Sequence, residues 1–242
     1  MRFHRHAPAS RRARWRPRWR SAPDSPLRGD PLTALAYHID AYLQAQDTLN
    51  HLRDEHRKWD SDERAEYTQA IEAVMKFNAL LRRVIIAKDD TMTFSELEAY
   101  LRQHYEALHG EYALDRVESM FRAALVGIRH EVSFARVLDH TALPYRHGSD
   151  NEDSHGGDYM LYGYIPIDIK ASELNAEREQ RAAVQHHHDP SHIFYTGIVE
   201  EDYQGRLLLP DAAAARIAQQ VLPILQDIVA RYHHQDRYNK AR

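Results

Sequence analysis

The sequence predicts an α/β protein with an all-helical N-terminal region, and three observations carry that expectation. From residue 31 to about 140, apolar residues recur at three- and four-residue steps, the period of a helix buried along one side. After His140 the texture changes to short β-type runs between turn residues: "LPYRH", "DYMLYG", "YIPIDIK", "HIFYTGIV" and "GRLLLP". Helical stretches then return, one at about 173–187 and one opening at Pro210-Asp211. Helices interleaved with short strands imply a mixed sheet flanked by helices.

The elements follow in order. Residues 1–30 hold nine arginines against Asp24 and Asp30, a net +7, so the rest of a chain of net charge −4 carries −11. The stretch "MRFHRHAPASRRARWRPRWRSAPDSP" has no apolar periodicity and reads as a disordered basic arm in which Trp15 and Trp19 could stack on bases. It has no apolar core of a secretory signal, although its composition is like that of a transit peptide. Asp30-Pro31 reads as an N-cap and first helical position, opening a helix to about 57. A second helix starts near Ser61, with Tyr67, Ile71, Val74, Asn78, Leu81 and Ile85 as its stripe. Thr93 and Glu96 form a capping box for a third. A fourth spans about 111–139. Pro223 lies inside the last helix, where proline kinks the backbone. The expected division is therefore an arm at 1–30, a helical module at 31–109 and an α/β domain at 110–242.

Composition excludes several classes. The chain has 242 residues, 43% of them hydrophobic, enough for a sizeable core. No apolar run approaches the roughly 18–20 residues that span a bilayer, so no membrane partner is expected. Cysteine is absent, which removes disulfides, thiol nucleophiles and cysteine-rich zinc sites and fits the cytoplasm. No glycine-rich phosphate loop or serine nucleophile elbow is found.

The chemistry concentrates in "GGDYMLYGYIPIDIKAS". Ile165, Ile167 and Ile169 alternate with polar residues, as in a strand with one apolar face. Asp168 and Lys170 are then either its wet face or reagents on a rigid platform. Centring a turn on Gly163 places Asp158 opposite Asp168, and opposed residues share a face with Cβ atoms about 5 Å apart. Two close carboxylates raise each other's pKa, and a divalent cation resolves the conflict. An all-oxygen set suits Mg²⁺, which keeps waters that can serve as nucleophiles. Lys170 could orient such a water or neutralise developing charge.

The fourth helix adds a carboxylate. Its apolar positions run Leu114, Val117, Phe121, Ala124, Ile128, then Glu131, then Ala135 and Leu138. Glu131 stands where the pattern demands an apolar residue, and a buried carboxylate needs a partner or a metal. The plainer reading sends it to water or pairs it with Arg129 or Arg136.

Helix glutamate, Gly-x-Asp at a hairpin and Asp-x-Lys on the next strand, here "RHEVSFARVLDH", "DNEDSHGGDYML" and "IPIDIKAS", resemble the PD-(D/E)xK nuclease superfamily. The resemblance covers about residues 111–209, with Gly157 in place of the first proline and Asp168 where glutamate is common. It implies the restriction-endonuclease-like fold: a mixed sheet flanked by helices, with "HIFYTGIV" as the core strand after the helix at 173–187. It implies that Asp158, Asp168, Glu131 and the Ile169 carbonyl hold Mg²⁺, with Mn²⁺ able to substitute, and that Lys170 positions the attacking water. The implied reaction is hydrolysis of a phosphodiester bond. DNA is the expected partner over RNA, and a palindromic cutter would be a symmetric homodimer.

Other clusters compete. His188 and His192 are four apart and would bind Zn²⁺ on a helix, but Asp189-Pro190 interrupts one. "DNEDSHGGD" lacks the glycine and glutamate spacing of an EF-hand. His147 and His155 lie near Asp158 and could touch a substrate phosphate. Because the chain beyond the arm is acidic, positive charge for a polyanion must come from the arm, Arg82-Arg83, Arg178 or Arg181. The competing functional class is a non-catalytic helical interaction protein with a decayed nuclease-like domain.

Overall fold

The computed structural model describes residues 30–54, 59–109, 114–148, 157–185 and 190–240, without the side chains of 53–54, 114–117, 191 and 235–240. The basic arm up to residue 29, His155 and His188 lie outside the described residues. Helices α1 (Pro31–Tyr37), α2 (Ile39–Asp54), α3 (Ser61–Lys88), α4 (Phe94–His109) and α5 (Leu114–Asp139) come first. Then follow β1 (Tyr145–His147), β2 (Tyr159–Leu161), β3 (Ile165–Lys170), α6 (Glu173–Gln185), β4 (Ile193–Tyr195), α7 (Glu200–Tyr203) and α8 (Asp211–Lys240). The protein is thus mixed α/β, mostly helical, with one four-stranded sheet in the order β1-β2-β3-β4. No described helix is long and apolar enough to cross a membrane.

Local chemistry explains most boundaries. The expected first helix is two, broken at His38. Asp30 occupies the N-cap of α1 without capping it through its side chain; its carboxylate pairs with Lys88 at 3.2 Å instead. Asp60 caps α3, accepting from the Asp62 and Glu63 amides at 2.9 Å each, while Glu63 reaches back to the Asp60 N–H. The Thr93–Glu96 box forms as expected, with the Thr93 amide donating to Glu96 Oε2 at 2.7 Å. The buried face of α3 is Ala70, Phe77, Leu80, Leu81, Val84 and Ile85, so Phe77 rather than Asn78 fills the middle of the stripe. Residues 205–210 form no strand: Arg206 makes one isolated bridge with Thr93, while Leu207, Leu208 and Leu209 are buried. Helix α8 runs through Pro223.

The sheet is mixed. Strands β1 and β2 pair antiparallel, as do β2 and β3, while β4 lies parallel to β3. Parallel neighbours need a crossover, and α6 supplies it. The β2–β3 hairpin closes over residues 162–164, with Leu161 opposite Ile165 and Tyr159 opposite Ile167. Tyr162 and Gly163 both have positive φ, at 50° and 82°. Glycine accepts this without cost; the tyrosine does not.

Two apolar cores meet on one helix. The first gathers α1, α2, α3 and α4 around Phe121, Leu125, Ile128 and Val132 of α5, with Leu207 and Leu208. The second gathers Phe134, Val137 and Leu138 of α5 with the sheet isoleucines, Leu209 and the inner face of α8. Polar groups of α5 bind the segment between the cores. Arg129 is 1% exposed and lies between the rings of Phe94 and Tyr203, 4.5 and 3.5 Å from their centroids. It donates to the Leu207 carbonyl at 3.2 Å and to the Arg206 carbonyl, and pairs with Glu200 at 2.7 Å. Arg136 bridges the Leu209 carbonyl and Asp89, both at 2.7 Å. Asp89 accepts in turn from the Leu208 amide at 2.9 Å.

Candidate active site

The hairpin presents its acidic groups at the end away from its turn. Pairing of Tyr159 with Ile167 sets Asp158, one step before β2, across from Asp168. The Asp158 carboxylate takes the place of the next ladder acceptor: its Oδ2 receives the Ile169 N–H at 2.7 Å. The two carboxyl groups are close enough for the charge of Asp168 to act on Asp158. On the far side, the Gly148 amide donates to the Asp158 carbonyl at 2.9 Å. A Cβ on Gly148 would run into the Gly157 carbonyl, so glycine is what lets the backbone at 148 approach that at 157 beside Asp158.

Asp168 is not on a wet face. It is 4% exposed, on a strand that has β4 paired alongside it and α6 packed against it. Its Oδ1 lies 2.9 Å from Lys170 Nζ. Asp168 and Lys170 therefore share a face, as the two-residue period requires. Glu131 of α5 is 8% exposed, as its place in the apolar stripe implies. The helix is fixed to the hairpin at that point: Tyr159, fully buried, donates its hydroxyl to the Glu131 carbonyl at 2.5 Å.

Glu131 pairs with neither Arg129 nor Arg136, which serve the segment between the cores. Its partner is Arg82 of α3, with Nη2 2.5 Å from Oε1. The charge of Arg82 also reaches His147, whose ring is tilted by 42° against that of Tyr159 with centroids 4.7 Å apart. The His147 pKa is lowered, first by burial and then by Arg82. His192, the residue before β4, is close enough for its charge to act on Asp168. Sequence reasoning placed Arg82 only as a source of positive charge and His192 only in a zinc pair; Tyr159 it did not single out. Arg178 and Arg181 line a groove along α6, and Arg181 is paired with Glu177 at 2.8 Å.

The electrostatics follow from burial. Asp158 is held well above the usual carboxylate range by desolvation, then by the charges of Asp168 and Glu131. Asp168 is raised by desolvation, against which Lys170 acts. For Lys170, desolvation favours the neutral amine, but Asp168, Asp158 and Glu179 outweigh it and raise its pKa. A lysine held in that direction keeps its proton. In that form it can neutralise charge or hold a water.

The donor set is all oxygen, acidic and largely buried, which is the chemistry a hard divalent cation requires. Among the described residues no three acidic or histidine side chains converge as a ready metal shell. The carboxylates are instead turned to the cations and amide at hand: Glu131 to Arg82, Asp168 to Lys170, Asp158 to the Ile169 N–H. Comparison with protein-family models, curated proteins and solved structures gives no match.

Proposed function

We propose that this chain is a Mg²⁺-dependent nuclease of the PD-(D/E)xK, restriction-endonuclease-like class, acting in the cytoplasm on DNA in preference to RNA. One observation carries the reading. Three sequence-distant acidic residues, Glu131 on a helix, Asp158 beside one strand and Asp168 on the next, lie near enough for the charges of Glu131 and Asp168 to act on Asp158, with Lys170 paired to Asp168. Burying like charges together costs several kcal/mol unless something is gained by it. The order helix glutamate, hairpin aspartate, Asp-x-Lys is that of the superfamily, and the parallel β4 reached through α6 has the connectivity its fold requires.

In this reading Asp158, Asp168, Glu131 and the Ile169 carbonyl hold the cation, and Mn²⁺ can replace it. Bound there, the ion supplies a Lewis acid for a phosphoryl oxygen and a lowered pKa for its water. Lys170 holds its proton beside Asp168 and faces the place where negative charge develops on the phosphate. Burial of Asp168 fixes the direction of its carboxylate, so the site pays little reorganisation when substrate arrives. Tyr159 keeps α5 and the hairpin at constant spacing.

The test is a Mn²⁺ titration followed by loss of the free-ion paramagnetic signal. The wild type should bind one or two ions per chain at millimolar Mn²⁺. Asp168→Asn, which keeps shape and removes charge, should bind fewer or none. Equal binding by both proteins places the metal elsewhere and rejects the assignment.

A further inference from the structure

The turn of the β2–β3 hairpin carries a second feature, at the end opposite the carboxylates. Tyr162 and Gly163 have φ of 50° and 82°, and the Tyr164 N–H donates to the Leu161 carbonyl at 3.1 Å. In a turn with positive φ at both central residues, asparagine, aspartate or glycine is usual at the first of them. This chain sets a tyrosine there, against a backbone cost. Burial of the ring does not offset that cost: Tyr162 is 44% exposed, and Tyr164 on the other side of the glycine is 46% exposed. The tip is tied down all the same. The Tyr162 N–H donates to the Pro144 carbonyl at 2.8 Å, and Arg146 of β1 donates through Nη2 to the Gly163 carbonyl at 3.0 Å. Tyr164 leans on the end of α8, its ring edge-on to Tyr232 with centroids 6.4 Å apart and its hydroxyl 3.3 Å from His233 Nδ1.

An exposed side chain carried on a strained backbone points to a use in the folded protein. The exposed large apolar residues of this hairpin are the two tyrosines, with no aliphatic companion among the described residues. The groups beside them are basic: Arg146 under the turn and His233 on α8, with Arg237 and Lys240 against Asp236 further along that helix. Nearby Arg231 is paired with Asp227 at 2.8 Å. Aromatic rings among basic groups fit the bases and phosphates of a single strand. Resting on the nuclease reading, we propose that Tyr162 and Tyr164 form a base-stacking platform for single-stranded nucleic acid. Tyr164 precedes Asp168 by four residues, which at about 3.3 Å each puts the tip about 13 Å from it, roughly the rise of four stacked nucleotides. A strand whose phosphate reaches the acidic end of the hairpin meets the tyrosines a few nucleotides away. The folded body, and not the arm alone, then holds the strand, through its bases rather than its charge.

The test reads binding in EDTA. The full chain is titrated by anisotropy against fluorescein-labelled oligo(dT) and against an abasic oligomer of the same length. Asparagine suits the backbone at 162 better than tyrosine, so Tyr162→Asn should raise the midpoint of chemical denaturation. It should also weaken oligo(dT) binding at least about five-fold, as for the loss of one stacked base, and leave the abasic oligomer unchanged. Tyr162→Phe, which keeps the ring, should bind oligo(dT) like the wild type. Equal oligo(dT) binding by wild type and Tyr162→Asn overturns the platform and leaves the exposed rings to a protein partner. The nuclease reading then stands, because metal-dependent cleavage decides it separately. An equal loss on the abasic oligomer also overturns the platform, since the contact is then to the phosphate backbone. So does a wild type that binds no oligo(dT). A Tyr162→Asn protein less stable than the wild type contradicts the strain on which the proposal stands.

Discussion

Asp158 is the residue on which the account turns. Its carboxyl is half-buried, accepts from the Ile169 amide and lies beside Asp168. Its folded pKa is raised, so the folded state binds a proton that the unfolded chain releases. Stability from that proton is present below the unfolded carboxylate pKa and is lost as pH rises through the folded value. Asparagine imitates the protonated acid, with an oxygen for the Ile169 N–H and no charge beside Asp168. Asp158→Asn should therefore match the wild type below the unfolded carboxylate pKa of about 4 and exceed it increasingly as pH rises above that, in metal-free denaturant titrations. Added Mn²⁺ should stabilise the wild type and not the variant. A variant less stable than wild type throughout would mean that Asp158 is held as a structural ion.

At the scale of elements, the hairpin and α5 are held to each other by few groups. Gly148, the residue after β1, donates its amide to the Asp158 carbonyl. Gly148→Ala puts a methyl group against the Gly157 carbonyl, and the two backbone segments must part to admit it. The expected cost is about 1–3 kcal/mol, read from chemical denaturation, with weakened Mn²⁺ binding because Asp158 is displaced. Unchanged stability would show that the two segments can shift freely. The neighbourhood of Asp158 and Asp168 was legible beforehand from a turn centred on Gly163, but a one-residue shift of that turn would change the pairing, and the register comes from the structure. Burial of Asp168 was not legible: alternation suggests a wet face, and only the parallel strand β4 and helix α6 cover it. The partner of Glu131 was out of reach for a related reason. A polar residue in an apolar stripe announces a need, but a partner 49 residues away on another helix leaves no periodic trace.

At the scale of the whole molecule, α5 joins what the sequence divides. Its first half completes the helical core and its second half lies under the sheet. The change of texture after His140 marks the start of strands, but the packing boundary runs through the middle of a helix. Leu207 and Leu208 on one side and Leu209 on the other belong to different cores, so a run of three leucines that reads as a strand is a link between them. A fragment ending at residue 109 would lack Phe121, Leu125, Ile128, Val132 and both leucines of its core. We expect residues 31–109 alone to show reduced helicity and no cooperative melt by circular dichroism, whereas residues 31–240 melt in one transition. Two separate transitions in the longer chain would show that the halves fold independently.

The most direct measurement of the central claim is cleavage. Supercoiled plasmid, single-stranded DNA and RNA are incubated with wild type, Asp168→Ala and Lys170→Ala in Mg²⁺, in Mn²⁺ and in EDTA, each protein first shown to be folded. The account predicts metal-dependent cutting by the wild type, with DNA preferred, and a loss of at least about 100-fold in both variants, as for removal of one preorganised electrostatic group. Cutting that survives in EDTA, or equal cutting by wild type and both variants, would contradict it.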